Sequence, residues 1–372
     1  MKDLRIEKLA DNLINYSVKL QKGEKILIDV IGEDGMPLAK ELMRKASEVG
    51  GIPFVNITNY EIQKIMLENL TEEQIKLYGE MELEKMKKMD AYIGIRASTN
   101  IAELVDIDSE KLNLYSKYYT SPVHFEERCS KKWCILRYPN ASMAQLSNMS
   151  TEKFEDFFFE VCNLDYSKMS KAMDPLVELM NKTDKVHIVG DKVDLRFSIK
   201  GIGATKCVGD FNIPDGEVFT APVKDSVNGY IEYNTASRYD GIKFNNIRFE
   251  FENGKIVKAM SSNNQEELNK LLDTDEGSRY IGEFALGVNP YVYLPIDDTL
   301  FDEKINGSFH FTPGDSIEES DNGNRSAIHW DIVNIQRKEF GGGEIYFDDV
   351  LVRKDGLFVL EELKPLNPES LK

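Results

Sequence analysis

KGEKILIDVIGEDGMPLAKELMRKASEVGGIPFVNI, residues 22–57, reads as strand, helix and strand in succession. KILIDVI (Lys25–Ile31) is a short, nearly continuous apolar run, the pattern of a strand buried on both faces of a parallel sheet. Leu38, Ala39, Leu42, Met43, Ala46 and Val49 then recur at helical spacing, and Gly50-Gly51 stops the helix before the second strand, IPFVNI. Two strands joined by one helix form a βαβ unit. Downstream, Thr71-x-x-Gln74 has the form of a capping box opening another helix, and AYIGIR (Ala91–Arg96) is a further buried strand. The alternation predicts a doubly wound α/β domain over residues 1–150. Its first strand is not followed by a Gly-rich phosphate loop, so nucleotide binding gains no support.

Residues 151–184 read as a helical connector, capped by Ser150 and carrying Phe154, Phe157, Phe158 and Val161 as core packing. From 185 to 372 the period changes to two. In DLRFSIK, Leu195, Phe197 and Ile199 share one face while Arg196, Ser198 and Lys200 share the other. Asn253-Gly254 and Asp355-Gly356 are placed as hairpin turns between such runs, and Gly201-x-Gly203 as a turn leaving a strand. The expected fold is an α/β N-terminal domain with a parallel sheet, followed by a β-rich α+β C-terminal domain.

The 372 residues, 41% of them hydrophobic, suffice for two cores. The first twenty residues mix charges among apolar positions and do not read as a signal peptide. No apolar run approaches the roughly 20 residues that span a bilayer. Four cysteines, Cys129, Cys134, Cys162 and Cys207, are too few for a disulfide scaffold, and a reducing cytoplasm suits them. A net charge of −18 argues against a nucleic-acid partner, which demands a basic face. Residues 271–350 hold 17 acidic against 5 basic side chains, so about two thirds of the whole excess lies there. A solvated acidic surface accounts for that, and so does a site that binds cations.

Two of the four histidines, His310 and His329, fall in this acidic stretch. In an extended His329-Trp330-Asp331, the imidazole and the carboxylate project to one face and Trp330 to the other. His310, between Phe309 and Phe311, turns away from two apolar neighbours if it too lies on a strand. Glu217 in NIPDGEVFTAP and Glu283 in YIGEFALG sit among apolar and turn residues, where a buried carboxylate needs a cation or several hydrogen bonds. Glu303 in LFDEKING is a further candidate, with an exposed Asp302-Glu303-Lys304 turn as the alternative. Such a set suits two divalent ions about 3.5–4 Å apart, which lower the pKa of a bridging water from about 15.7 towards about 7. A carboxylate between the ions offsets their repulsion, and another shuttles a proton to the leaving amine.

The ordered blocks NIPDGEVFTAP, YIGEFALG, LFDEKINGSFH and SAIHWDIV resemble those of the aminopeptidase T / aminopeptidase S family, the thermophilic metalloaminopeptidases. KGEKILIDV, ASMAQLSNMSTEKFEDFF, DLRFSIKG and GGGEIYFDDVLVRKDG extend the resemblance over essentially the whole chain. The resemblance implies that Glu217, Glu283, His310, His329 and Asp331 hold two metal ions, with Glu283 bridging. Glu303 is implied as general base or additional ligand. Also implied are a catalytic C-terminal domain, a homodimer, zinc, cobalt, manganese or magnesium as the ion, and release of single N-terminal residues from peptide substrates. One position departs from the pattern. Where many members carry a tyrosine seven residues after the first histidine, HFTPGDSI places Ile317, which cannot donate to an oxyanion.

Two other functions compete. His-x-Asp with a second histidine is the composition of a non-haem iron oxygenase triad, but there the second histidine follows, and His329 is the last in this chain. The other is a metal-binding, non-catalytic peptide-binding relative.

Overall fold

A computed structural model describes residues 3–100 and 102–372. The chain divides into two compact units, Met1–Asn163 with Gly209–Ile213, and Leu164–Val208 with Pro214–Lys372.

The first unit is built on a parallel sheet. Its strands run in the order Ile52–Thr58, Lys25–Ile31, Ala91–Arg96, Lys132–Arg137 and Asn212–Ile213. The strand Lys25–Ile31 lies between two neighbours, which explains its unbroken apolar run: Ile26, Leu27, Ile28 and Val30 are all buried. The helix Met36–Glu48 ends ahead of Gly50, whose φ of 81° makes the turn into the next strand. Thr71 and Gln74 form the expected reciprocal capping box on Glu72–Lys87. Three helices follow the last long strand, the first of them the short Ala141–Leu146. Thr151–Cys162, capped by Ser150, buries Phe154 and Phe158 in the first unit, and Tyr166–Lys182 belongs to the second.

The second unit is β-rich. An eight-stranded antiparallel sheet includes Val193–Ser198 at its middle, and both Asn253-Gly254 and Asp355-Gly356 turn between adjacent strands with positive φ at each residue. A five-stranded antiparallel sheet runs in the order Val333–Ile335, Ser308–Pro313, Ile281–Gly287, Glu217–Thr220 and Thr205–Cys207. One face of this second sheet is aromatic. Phe284 and Phe311 pack against Phe197 of the larger sheet with ring centres 5.1 and 5.2 Å apart. The alternation of the strands therefore leaves their polar side chains on the opposite face. The expected α/β unit with a parallel sheet and β-rich α+β unit are both present.

Candidate metal centre

The polar face of the five-stranded sheet is where the acidic residues meet. His310 pairs with Ala285 across the sheet, Thr312 with Glu283, and Glu217 with Gly287, so the five side chains of these six residues project from one face. Ala285 and Gly287 are small, and the space they leave admits the longer groups around them. At Gly287 the reason is measurable: a Cβ there would lie 2.4 Å from the carbonyl oxygen of Ile305 and 2.9 Å from that of Glu303. The glycine lets the turn Glu303–Ile305 settle onto the sheet.

Glu283 stands between the two histidines. Its Oε1 lies 3.1 Å from Nε2 of His310, and its Oε2 lies 3.2 Å from Nε2 of His329. Asp331 Oδ1 is 3.3 Å from Nε2 of His329 and accepts from the Thr312 hydroxyl at 2.7 Å. Glu217 Oε2 reaches to 3.5 Å from Nε2 of His310 and has no hydrogen-bond partner. His329 and Asp331 meet although the segment is not a continuous strand: His329 makes one isolated bridge with Gly314, and the chain re-enters the sheet at Val333. Trp330 is buried on the other side, donating from its indole to Ser237 Oγ. The structure thus brings together Glu217, Glu283, His310, His329 and Asp331.

Two overlapping donor groups result, Glu217–Glu283–His310 and Glu283–His329–Asp331, each with ligand atoms within 4.8 Å of one another. Sharing Glu283, with one oxygen turned to each, they have the form of a dinuclear centre with one carboxylate between the ions. The local charge points the same way. Asp215, Glu217, Glu283, Glu303 and Asp331 converge with Lys304 as the single permanent cation among them, an excess that divalent ions would balance. Burial disfavours charge on His310, yet the fields of Glu217 and Glu283 outweigh it and push the imidazole up to about 10. Burial likewise opposes charge on Glu283, and hydrogen bonds from both histidines hold its carboxyl below the usual range. The residues fit two divalent ions.

Supporting contacts orient these groups. Nδ1 of His329 lies 2.9 Å from the carbonyl oxygen of Asp315, which as acceptor leaves Nε2 free for a ligand. The loop before His329 is tied down by Asp275, which accepts from the backbone N–H of Ala327 and from Ser326, and by buried Asn324, which donates to Gly277 and Gly314.

Glu303 lies outside both donor groups. Its Oε1 pairs with the Lys304 ammonium at 2.7 Å, and burial pushes its carboxyl well above the ordinary value. Lys304 is the residue that sequence reasoning missed. Only 2% of its side chain is exposed, and Nζ lies 2.5 Å from Glu217 Oε1 and 3.5 Å from Asp215 Oδ1. Asp302 is buried too, accepting from the backbone N–H of Ile296, so the segment is not an exposed turn. The available signal was the apolar pair Phe301 and Ile305 flanking it. Cys207, Asp215 and Glu217 form a third group of potential ligands. Here Lys304 already serves as the cation, and burial pushes the Cys207 thiol up. Ile317 begins a short turn, Glu318–Ser320, and brings no hydrogen-bonding group to the site.

The profile of the family described as thermophilic metalloprotease (M29) matches residues 2–358. Aminopeptidase AmpS of Bacillus subtilis is 26% identical over 374 residues, 88% of each chain. Among solved structures, wild-type AmpT of Thermus thermophilus superposes with a TM-score of 0.79 at 21% identity, covering 96% of this chain and 99% of its own. The 2,5-dihydroxypyridine dioxygenase of Pseudomonas putida KT2440 has the same fold, with a TM-score of 0.60 at 14% identity over 96% of this chain and 98% of its own.

Proposed function

The chain belongs to the M29 family of thermophilic metalloproteases, and from that premise we propose that it is an aminopeptidase removing N-terminal residues from peptides. The observation that carries this reading is Glu283 placed between His310 and His329, one oxygen towards each. Glu217, Glu283 and His310 would hold one ion, and Glu283, His329 and Asp331 the other. Two ions held there would supply Lewis acidity to the peptide carbonyl and to the attacking water.

The chain's own groups do the rest. Glu303 acts as the proton carrier: it takes the proton that the attacking water gives up and delivers it to the leaving amine nitrogen. Its place beside the donor groups but outside them supports this role over that of a ligand. Lys304 holds Glu217 and Glu303 apart and fixes both. The opening lies on the His329 side, where 31% of that side chain is exposed while Glu283 and His310 are buried.

No described helix is long and apolar enough to cross a membrane. We take the working form to be a cytoplasmic homodimer, a reading supported by the family resemblance and by cysteines that are all free thiols.

The dioxygenase with the same fold makes oxygen chemistry the second reading, because fold alone does not select the reaction. The test compares an aminoacyl chromogenic substrate with its N-acetylated form, in air and under argon. Cleavage of the free-amine substrate alone, equal in both atmospheres, is expected. Oxygen-dependent turnover without peptide cleavage would establish the second reading instead.

A further inference from the structure

A second candidate site is built within the parallel-sheet unit, from residues other than those of the carboxylate cluster. Asn56, Asp29, Gly94 and Ile135 stand side by side across four of its five strands and therefore share one face. The Tyr92 ring and the Arg96 guanidinium close over Gly94, where a Cβ would lie 3.0 and 3.2 Å from them. Over this face is a cavity of about 780 Å³, within the size range of small-molecule sites. Tyr78, Tyr115 and Tyr119 form an aromatic wall, with Tyr115 and Tyr119 ring centres 4.7 Å apart and Tyr78 and Tyr119 5.3 Å apart.

Two carboxylates, Asp29 and Glu82, and two guanidinium groups, Arg96 and Arg128, line the cavity, but they are not paired with one another throughout. Asp29 is satisfied by Arg96 at 3.1 Å and by the Tyr92 hydroxyl at 2.7 Å, and Glu82 pairs with Lys85 at 2.7 Å. Arg128 has no such partner. It is 5% exposed, its guanidinium lies 4.0 Å over the Trp133 ring, and its Nε donates to the carbonyl of His124. Nη2 reaches only the Cys129 sulfur at 3.4 Å, and Nη1 is buried with no acceptor at all. His124 offers no compensating charge, being a neutral ring that bonds the Tyr119 hydroxyl at 2.9 Å. Removing a cation from water without a counter-charge costs several kcal/mol. A guanidinium in the wall of an aromatic cavity, with no anionic partner among the described residues, is the complement of a ligand that brings a carboxylate and a flat apolar body.

We propose that this cavity binds a small organic monocarboxylate with an aromatic body, its carboxylate on Arg128 and its ring against Tyr115 and Tyr119. The site is independent of the metal centre and of the reaction assigned to it.

Calorimetric titration of the full metal-loaded chain with 3-phenylpropionate tests it. One equivalent should bind, and 3-phenylpropanamide, which lacks the charge, should bind at least about tenfold more weakly. Arg128→Met should weaken the carboxylate by about tenfold or more. Ser116→Trp, which fills the cavity from its exposed rim and leaves Arg128 in place, should abolish binding and decides the matter if Arg128→Met does not fold. Glu283→Gln, at the metal centre, should bind the probe as the parent does. The proposal is overturned by no binding up to about 10 mM, by equal affinity for the amide, by undiminished binding to Ser116→Trp, or by loss of binding in Glu283→Gln.

Discussion

The ammonium of Lys304 lies 2.5 Å from Oε1 of Glu217, and both side chains are buried. The other oxygen of Glu217 is left without a hydrogen bond, 3.5 Å from His310. One oxygen is thus occupied by the lysine and one is offered to a metal. Lys304→Met would leave Glu217, Glu303 and Asp215 without their shared cation. Breaking a buried pair costs about 3–5 kcal/mol, so the urea midpoint of the variant should fall clearly below that of the parent. Metal affinity, read by competition with a chromophoric chelator, should change by about 10–100-fold. An unchanged midpoint and affinity would show that Lys304 does not organise the site.

Gly287 is the contact that lets Glu303 and Lys304 reach the sheet. Gly287→Ala would drive a methyl against the carbonyl oxygens of Ile305 and Glu303, which are backbone atoms that cannot rotate away. Overpacking of this kind costs about 1–3 kcal/mol. Because the displaced segment carries the proton carrier, kcat should drop by at least about tenfold while KM for a chromogenic substrate changes little. A variant with parental kcat would break the link between this glycine and Glu303.

Asp275 gives a pH-dependent prediction. The backbone N–H of Ala327 chiefly, with the hydroxyls of Ser326 and Ser278 and the N–H of Gly277, pulls its carboxyl down to about 2. The folded form therefore prefers the charged group more strongly than the unfolded chain does. That preference adds stability at pH above about 4 and is lost as pH falls towards about 2. Urea midpoints of the parent and of Asp275→Asn should differ at neutral pH, by about 1–3 kcal/mol in stability, and the gap should narrow as pH falls below about 4. A gap independent of pH would assign the effect to packing alone. The same loop holds His329, so the variant should also bind metal more weakly.

Much of this was legible in the chain. KILIDVI, the helix after it and AYIGIR announce a parallel sheet because burial on both faces writes itself as an unbroken apolar run. DLRFSIK shows its strand because one of its faces is polar. His310 between two phenylalanines is likewise a local pattern, and its ring does turn to the polar face. The three acidic or basic residues 302–304 are different. A run of charge looks solvated, and its burial depends on Gly287, which is distant in sequence and carries no side chain to advertise the contact. The hold of Asp275 on Ala327 and of Asn324 on Gly277 was invisible for the same reason: these partners are backbone groups of distant loops, which no residue type encodes.

Glu283 is the side chain common to both donor groups. Glu283→Gln keeps its volume and removes the charge between the ions. Metal content should fall from two equivalents to one or fewer, and turnover by at least about 100-fold. Retention of two ions with full activity would place the bridge elsewhere.

The most direct test of the central claim is stepwise reconstitution. Chelator-stripped protein is titrated with zinc, cobalt or manganese while release of N-terminal residues from an aminoacyl chromogenic substrate is followed. The account predicts no turnover without metal and activity that saturates at two equivalents per chain. Turnover that persists in metal-free protein, or that saturates at a single equivalent, would contradict it.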